Sequence, residues 1–123
     1  MIRPRQRERR ETLAYWPVED MEKGEAVGLV TNLSEDGIQI HSKHDFRKGQ
    51  VLTIRIAVDA RLSGTNQICL VVENVWCRTS GLKTLYHAGF KIVDISEAAT
   101  RGLRNLLAAF SYPAPGGRTR AEE

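Results

Sequence analysis

From Leu52 to Val58 the chain alternates without a break: Leu52, Ile54, Ile56 and Val58 are apolar, and Thr53, Arg55 and Ala57 separate them. A period of two places every second side chain on one side of an extended strand, whereas a helix with this pattern would scatter its apolar residues around its circumference. The segment is therefore read as a strand with one buried face. Such a strand needs partners, so it constrains the reading of everything around it.

The neighbouring segments supply those partners. Thr12–Glu19 carries Tyr15, Trp16 and Val18, and Pro17 within it points to an edge position or a bulge. Glu22-Lys23-Gly24 is a turn signal, and Ala26–Leu33 reads as the second arm of a hairpin, with Val27 and Leu29 on one face and Gly28 and Val30 on the other. Ile38 and Ile40 alternate with Gln39 and His41, and Arg47-Lys48-Gly49 is the turn into the Leu52–Val58 strand. Asp59–Asn66 reads as a loop, Gln67–Arg78 as a long strand bulged near Asn74, Thr79–Lys83 as a turn and Leu85–Val93 as the last strand.

The periodicity then changes. Ala99, Leu103, Leu106, Leu107 and Phe110 recur on one face of a helix, with Asp94 or Ser96 as its cap and Glu97 in its first turn. Six strands at short spacing followed by one amphipathic helix predict a mainly β fold: a small six- to seven-stranded antiparallel β-barrel with a C-terminal α-helix closing one end. The order in which the strands pair is not readable from these patterns.

Charge is divided unevenly along the chain. Of 18 Lys and Arg residues, five (Arg3, Arg5, Arg7, Arg9 and Arg10) lie within the first ten positions against one acid, Glu8. The rest holds 13 basic and 14 acidic residues, so a near-neutral body carries a basic arm. Residues 1–11 are expected to be a flexible arm, 12–112 the barrel with its helix, and 113–123, opening Pro113-Ala114-Pro115-Gly116-Gly117, a disordered tail. An arm of this kind points to an anionic partner. A basic surface spread over the fold is excluded, so no DNA or RNA partner is expected; a nucleic-acid binder whose arm tracks phosphates beside the barrel is a rival reading, which the near-neutral body argues against. No apolar stretch approaches the roughly 20 residues of a membrane helix, and no signal-peptide core follows the arginines, so no membrane insertion and a cytoplasmic location are expected.

Catalytic chemistry is poorly supplied. There is no Gly-x-Ser-x-Gly elbow, phosphate-binding Walker loop or dinucleotide fingerprint, and no enzymatic role or cofactor is expected. Cys69 and Cys77 on one extended strand would sit about 26 Å apart, eight residues at roughly 3.3 Å each, so they neither pair nor share a metal. They read as buried, inert thiols, and His41, His44 and His87 as surface histidines rather than metal ligands.

Two features remain. One is the spacing R-x-x-x-R, met by Arg5 and Arg9 and also by Arg3 and Arg7. The other is Asn32-Leu33-Ser34-Glu35-Asp36-Gly37, an N-x-S-x-x-G at the end of a strand. Asn and Ser start turns by bonding their own backbone, and Gly37 reads as a position with positive φ that also permits close backbone approach. Together with the barrel pattern, the final helix and the segment His87-Ala88-Gly89-Phe90-Lys91-Ile92-Val93-Asp94, this combination resembles the PilZ domain over roughly residues 5–110. PilZ domains are bacterial receptors for cyclic di-GMP, and the resemblance implies that ligand here.

Carried over position by position, the resemblance makes Arg5 and Arg9 the two arginines of the arm, with Arg10 a spare donor, and Asn32, Ser34 and Gly37 the second motif. In the other register Arg10 takes the first arginine position and Ala14 the second, which leaves the motif degenerate and the protein a nucleotide-free adaptor. The chemistry suits the ligand. A guanidinium makes paired, charge-assisted bonds to phosphate, matches the O6/N7 edge of guanine, and stacks on bases through its flat face. Trp76 is expected in the barrel core. Facing outward, it and Arg78 would be candidates for stacking or a further contact. The expected mechanism is ordering of the arm over bound ligand, producing a surface that an effector protein reads.

Overall fold

The computed structural model describes residues 16–79, 81 and 84–110. Within them, β1 (Pro17–Asp20), β2 (Glu25–Leu33), β3 (Gly37–Ser42) and β4 (Val51–Ala57) are followed by the short helix α1 (Ala60–Ser63), then β5 (Gln67–Thr79), β6 (Tyr86–Ile95) and the helix α2 (Glu97–Phe110). The six strands close into an antiparallel barrel in the order β1-β2-β3-β6-β5-β4, with β4 returning to β1 through Val18–Ile56 and Asp20–Ile54. Closure leaves no strand edge, which for a small sheet removes the template for unwanted pairing. The start of the expected first strand, the arginine arm and the C-terminal tail lie outside the described residues.

The Leu52–Val58 pattern does what its period requires. Leu52, Ile54, Ile56 and Val58 all point into the barrel, and Ile56 is fully buried. They meet Val18, Val30, Ile38, Ile40, Ile68, Leu70 and Val72 from the other strands. In the second strand, Val27 and Val30 are buried while Leu29 is 44% exposed, so the expected pairing of Val27 with Leu29 on one face is corrected. The cause is a bulge: Val18 faces Gly28 and Glu19 faces Ala26, leaving Val27 as the extra residue that flips the alternation. Pro17 itself pairs in register with Leu29 and opens a strand of a closed barrel, so it lies neither at an edge nor in a bulge of its own strand; the extra residue is on β2.

The final helix closes one end. Ser96 caps it, its Oγ accepting from the Ala99 amide at 3.0 Å, with Glu97 in the first turn. Leu103 and Leu106 are buried in the barrel core, each burial stabilising the fold by about 1.5–3 kcal/mol. The stretch 59–66, read as a loop, contains α1. Asp59 caps it through the Arg61 amide, and Gly64 (φ 82°) ends it in the left-handed conformation. This helical turn carries the carbonyl of Ser63 to Asn105 Nδ2 of α2 at 3.2 Å, so it is the seat on which the closing helix rests. Cys69 and Cys77 are unpaired and half-buried rather than buried, and burial pushes the Cys77 thiol above its usual pKa.

Candidate functional site

The N-x-S-x-x-G segment forms the turn between β2 and β3. Ser34 organises it: its Oγ accepts from the amides of Asp36 and Gly37, both at 3.2 Å, and its own amide donates to the Gly37 carbonyl at 2.9 Å. Asn32 Oδ1 accepts from the Leu33 amide at 2.9 Å. The turn is also tied down from outside. The Ile92 amide of β6 donates to the Asp36 carbonyl at 2.9 Å, and Arg104 of α2 meets Glu35 at 3.1 Å.

Gly37 is needed here for a different reason from the one its place in a turn suggests. Its φ is not among the positive values found at Gly24, Gly49, Gly64 and Gly81. What excludes a side chain is β6: a Cβ at position 37 would collide with the Phe90 carbonyl oxygen. The glycine therefore serves close backbone approach, not a left-handed turn.

The strand pairing builds a surface beside this turn. Across the outer face, Asn32 pairs with Gln39, Gln39 with Gly89 and Gly89 with Trp76, one row spanning β2, β3, β6 and β5. The next row runs through Leu29, His41, His87 and Arg78. Between the turn and the first row lies an open groove of about 270 Å³, lined among others by Asn32, Ser34, Gln39, Trp76 and Lys91. Lys91 is half-engaged with Glu73 at 3.9 Å.

Trp76 is not in the core. It is half-buried on the outer face, because a bulge between Asn74 and Trp76 resets the alternation and turns Cys77 inward instead. Its indole edge lies over Gly89, where any Cβ would strike Nε1, Cε2 and Cζ2. The Arg78 guanidinium covers the ring with Cζ 4.5 Å from its centroid, a cation–π stack. His87 stands edge-on to Trp76 and to His41, with ring centroids 5.1 and 5.0 Å apart, and its Nε2 lies 3.3 Å from Thr31 Oγ1. Burial, then the nearby His41, then Arg78 hold the His87 pKa below its usual value, so this ring is neutral near pH 7. His41 and His44 are exposed, and among the described residues no three His, Cys, Asp or Glu side chains gather as a metal site.

Comparison with known proteins gives this arrangement a family. The PilZ domain family model matches residues 4–109. The chain belongs to the PilZ domain family. Among solved structures, Bacillus subtilis inhibitor of motility (MotI/DgrA) superimposes with a TM-score of 0.61 at 18% identity, covering 73% of this chain. The match covers 43% of that protein, so this chain spans less than half of its length, and the likeness is one of fold. A search of curated proteins finds no match.

This PilZ domain thus belongs to a family of cyclic di-GMP-type receptors and adaptors. Of the site residues expected from sequence, Asn32, Ser34 and Gly37 share one turn, Trp76 lines the same groove, and Arg78 stacks on Trp76 without lining the groove itself. Arg5, Arg9 and Arg10, and with them the choice between the Arg5/Arg9 and Arg10/Ala14 registers, lie outside the described residues. Among the described residues no helix is long and apolar enough to cross a membrane. Gln39, Gly89 and Lys91 were not singled out from sequence as site residues. Gly89 had a usable signal, since a glycine inside a strand marks a close approach. Gln39 and Lys91 become groove residues only through the β3–β6 pairing.

Proposed function

We propose that this PilZ domain is a cyclic di-GMP receptor that holds the dinucleotide between the Asn32–Gly37 turn and the Trp76 side of the groove, with Arg5 and Arg9 closing over it. The observation that supports this reading is the meeting, in one groove, of the N-x-S-x-x-G turn with an aromatic ring already stacked by a guanidinium. A base has a π-face for the Trp76–Arg78 stack, and its edge has partners in Asn32 and Gln39. At about 270 Å³ the groove lies below the ~300–1,000 Å³ of sites that enclose a drug-sized ligand. Two guanines and two phosphates therefore need a second covering element. The five arginines of residues 1–10 provide it, since each guanidinium can take a phosphate or a guanine edge.

In this reading Arg5 and Arg9 bind phosphate and guanine, Arg10 adds a donor, Ser34 holds the turn in shape, and Gly37 keeps it against β6. Neutralisation of the arm by the ligand phosphates fixes residues 1–11 across the groove, and an effector protein recognises arm and ligand together. No catalytic step and no cofactor is involved, and the protein acts in the cytoplasm.

Calorimetric titration with cyclic di-GMP at physiological salt tests the proposal, with GTP and short DNA as controls. Micromolar or tighter binding of cyclic di-GMP alone, lost in Arg9→Ala, supports it. Hydrogen exchange that slows in residues 1–11 on adding ligand supports the ordering step, and unchanged exchange there removes it. Absence of heat and of thermal shift overturns the receptor reading in favour of a nucleotide-free protein adaptor. Binding of arbitrary DNA with a steep salt dependence overturns it in favour of a nucleic-acid binder.

A further inference from the structure

The inward-facing row of β5 reads Ile68, Leu70, Val72 and then Asn74, an amide that is 1% exposed among aliphatic side chains. Its Oδ1 has no hydrogen-bond partner. A buried carbonyl oxygen without a partner is a cost to stability, so packing does not explain an amide at this position.

The other end of the side chain does. Asn74 Nδ2 donates to the Trp76 carbonyl at 3.0 Å and to the Gly89 carbonyl at 3.1 Å. These acceptors flank the point where Asn74 and Val75 together oppose Phe90 and the β5–β6 ladder shifts register. A bulge interrupts the regular ladder, and the amide supplies donors that no aliphatic residue could. The backbone of Asn74 is fixed as well: its amide donates to the Gln50 carbonyl and its carbonyl accepts from the Gly49 amide, both at 2.8 Å.

We propose that Asn74 is the positioning residue of the groove: its amide holds the Val75 bulge, and the bulge is what turns Trp76 out of the barrel onto Gly89, where it stacks with Arg78. If Val75 took a regular place in the ladder instead of bulging, strict alternation from Val72 and Asn74 would send Trp76 inward. Asn74 touches no ligand in this account; it acts through Trp76. The role in binding rests on the cyclic di-GMP reading above, while the role in placing Trp76 does not.

The test uses the full chain with Trp16→Phe, so that Trp76 is the single tryptophan. Deleting Val75 makes Asn74–Phe90 and Trp76–Gly89 consecutive pairs of a regular ladder with Trp76 still outward, so Asn74 should then be dispensable. Expected results are loss of the near-ultraviolet circular dichroism of Trp76 in Asn74→Val with the far-ultraviolet spectrum retained, and its return when Val75 is also deleted. Affinity for cyclic di-GMP should fall roughly tenfold in Asn74→Val, within the range for a lost base-stacking contact, and recover in the double variant. A folded Asn74→Val with the Trp76 signal unchanged overturns the proposal. If Asn74→Val does not fold, the Val75-deleted chain decides: equal Trp76 signals with Asn74 or Val support the proposal, and a signal that still depends on Asn74 overturns it. A parent chain that binds no cyclic di-GMP defeats the receptor reading alone, because the Trp76 signals still report on Asn74.

Discussion

Trp76 and Gly89 face each other across β5 and β6, and the edge of the indole occupies the space where any side chain at position 89 would begin. The absence of a Cβ on one strand is therefore the condition for the aromatic wall on the other. Gly89→Ala should push the indole off its seat and break its contacts with His87 and Arg78. We expect a loss of about 1–3 kcal/mol, the usual cost of overpacking, together with weaker cyclic di-GMP binding. Denaturant unfolding and calorimetric titration of the same variant measure both.

Gly37 meets β6 in the same way, but through backbone. A methyl group there meets the Phe90 carbonyl oxygen, which has no rotamer by which to move aside. Gly37→Ala should open the β3–β6 ladder at its first pair, Gly37–Lys91, and raise amide exchange at Ile92, which bonds the Asp36 carbonyl. Exchange at Ile92 as slow as in the parent chain would contradict the steric account.

His87 links stability to pH. Its folded pKa lies below the ordinary histidine value of 6.5, so over that interval the unfolded chain binds more protons than the folded one. The stabilisation is fully present above about pH 6.5 and is lost as pH falls through the lower folded value. Thermal unfolding from pH 7.5 to 5 should show this loss, and His87→Gln should flatten it. Bound anionic ligand near Arg78 would raise the His87 pKa, so cyclic di-GMP binding should take up protons and tighten as pH falls from 7 towards 6.

The arm separates its two registers by substitution. If Arg5 and Arg9 each make charge-assisted bonds to ligand, replacing either with Ala should cost about 1.5–3 kcal/mol, a factor of ten or more in affinity. Arg10→Ala should cost less. The other register, with Ala14 at the second position, predicts weak or no binding in the parent chain and no further loss at Arg5 or Arg9, and titration of the parent and the three variants decides.

The closing helix α2 meets the turn through the exposed Arg104–Glu35 pair, and here the expectation is a change in stability rather than in ligand contacts. Leu103→Ala should remove about 2–5 kcal/mol by leaving a cavity beneath α2, while the folded variant keeps its affinity. Glu35→Gln should change stability by about 0–1 kcal/mol, because its pair with Arg104 is exposed on both sides. Urea unfolding of both variants checks these values.

The local pattern of the chain determined a good deal by itself. Period-two runs such as Leu52–Val58 are strands in any fold that buries one face, the Leu103–Leu106 stripe needs a core to cover it, and Asn32-x-Ser34 carries its own turn in short-range hydrogen bonds. Tertiary structure decided what depends on strand pairing. Bulges at Val27 and Val75 reversed the inside–outside reading of Leu29 and Trp76, because one extra residue flips every side chain beyond it. Gly37 needs no left-handed backbone and is fixed by an oxygen of Phe90, 53 positions along the chain. The groove unites residues from β2, β3, β5 and β6, and only closure of the barrel brings those four strands side by side.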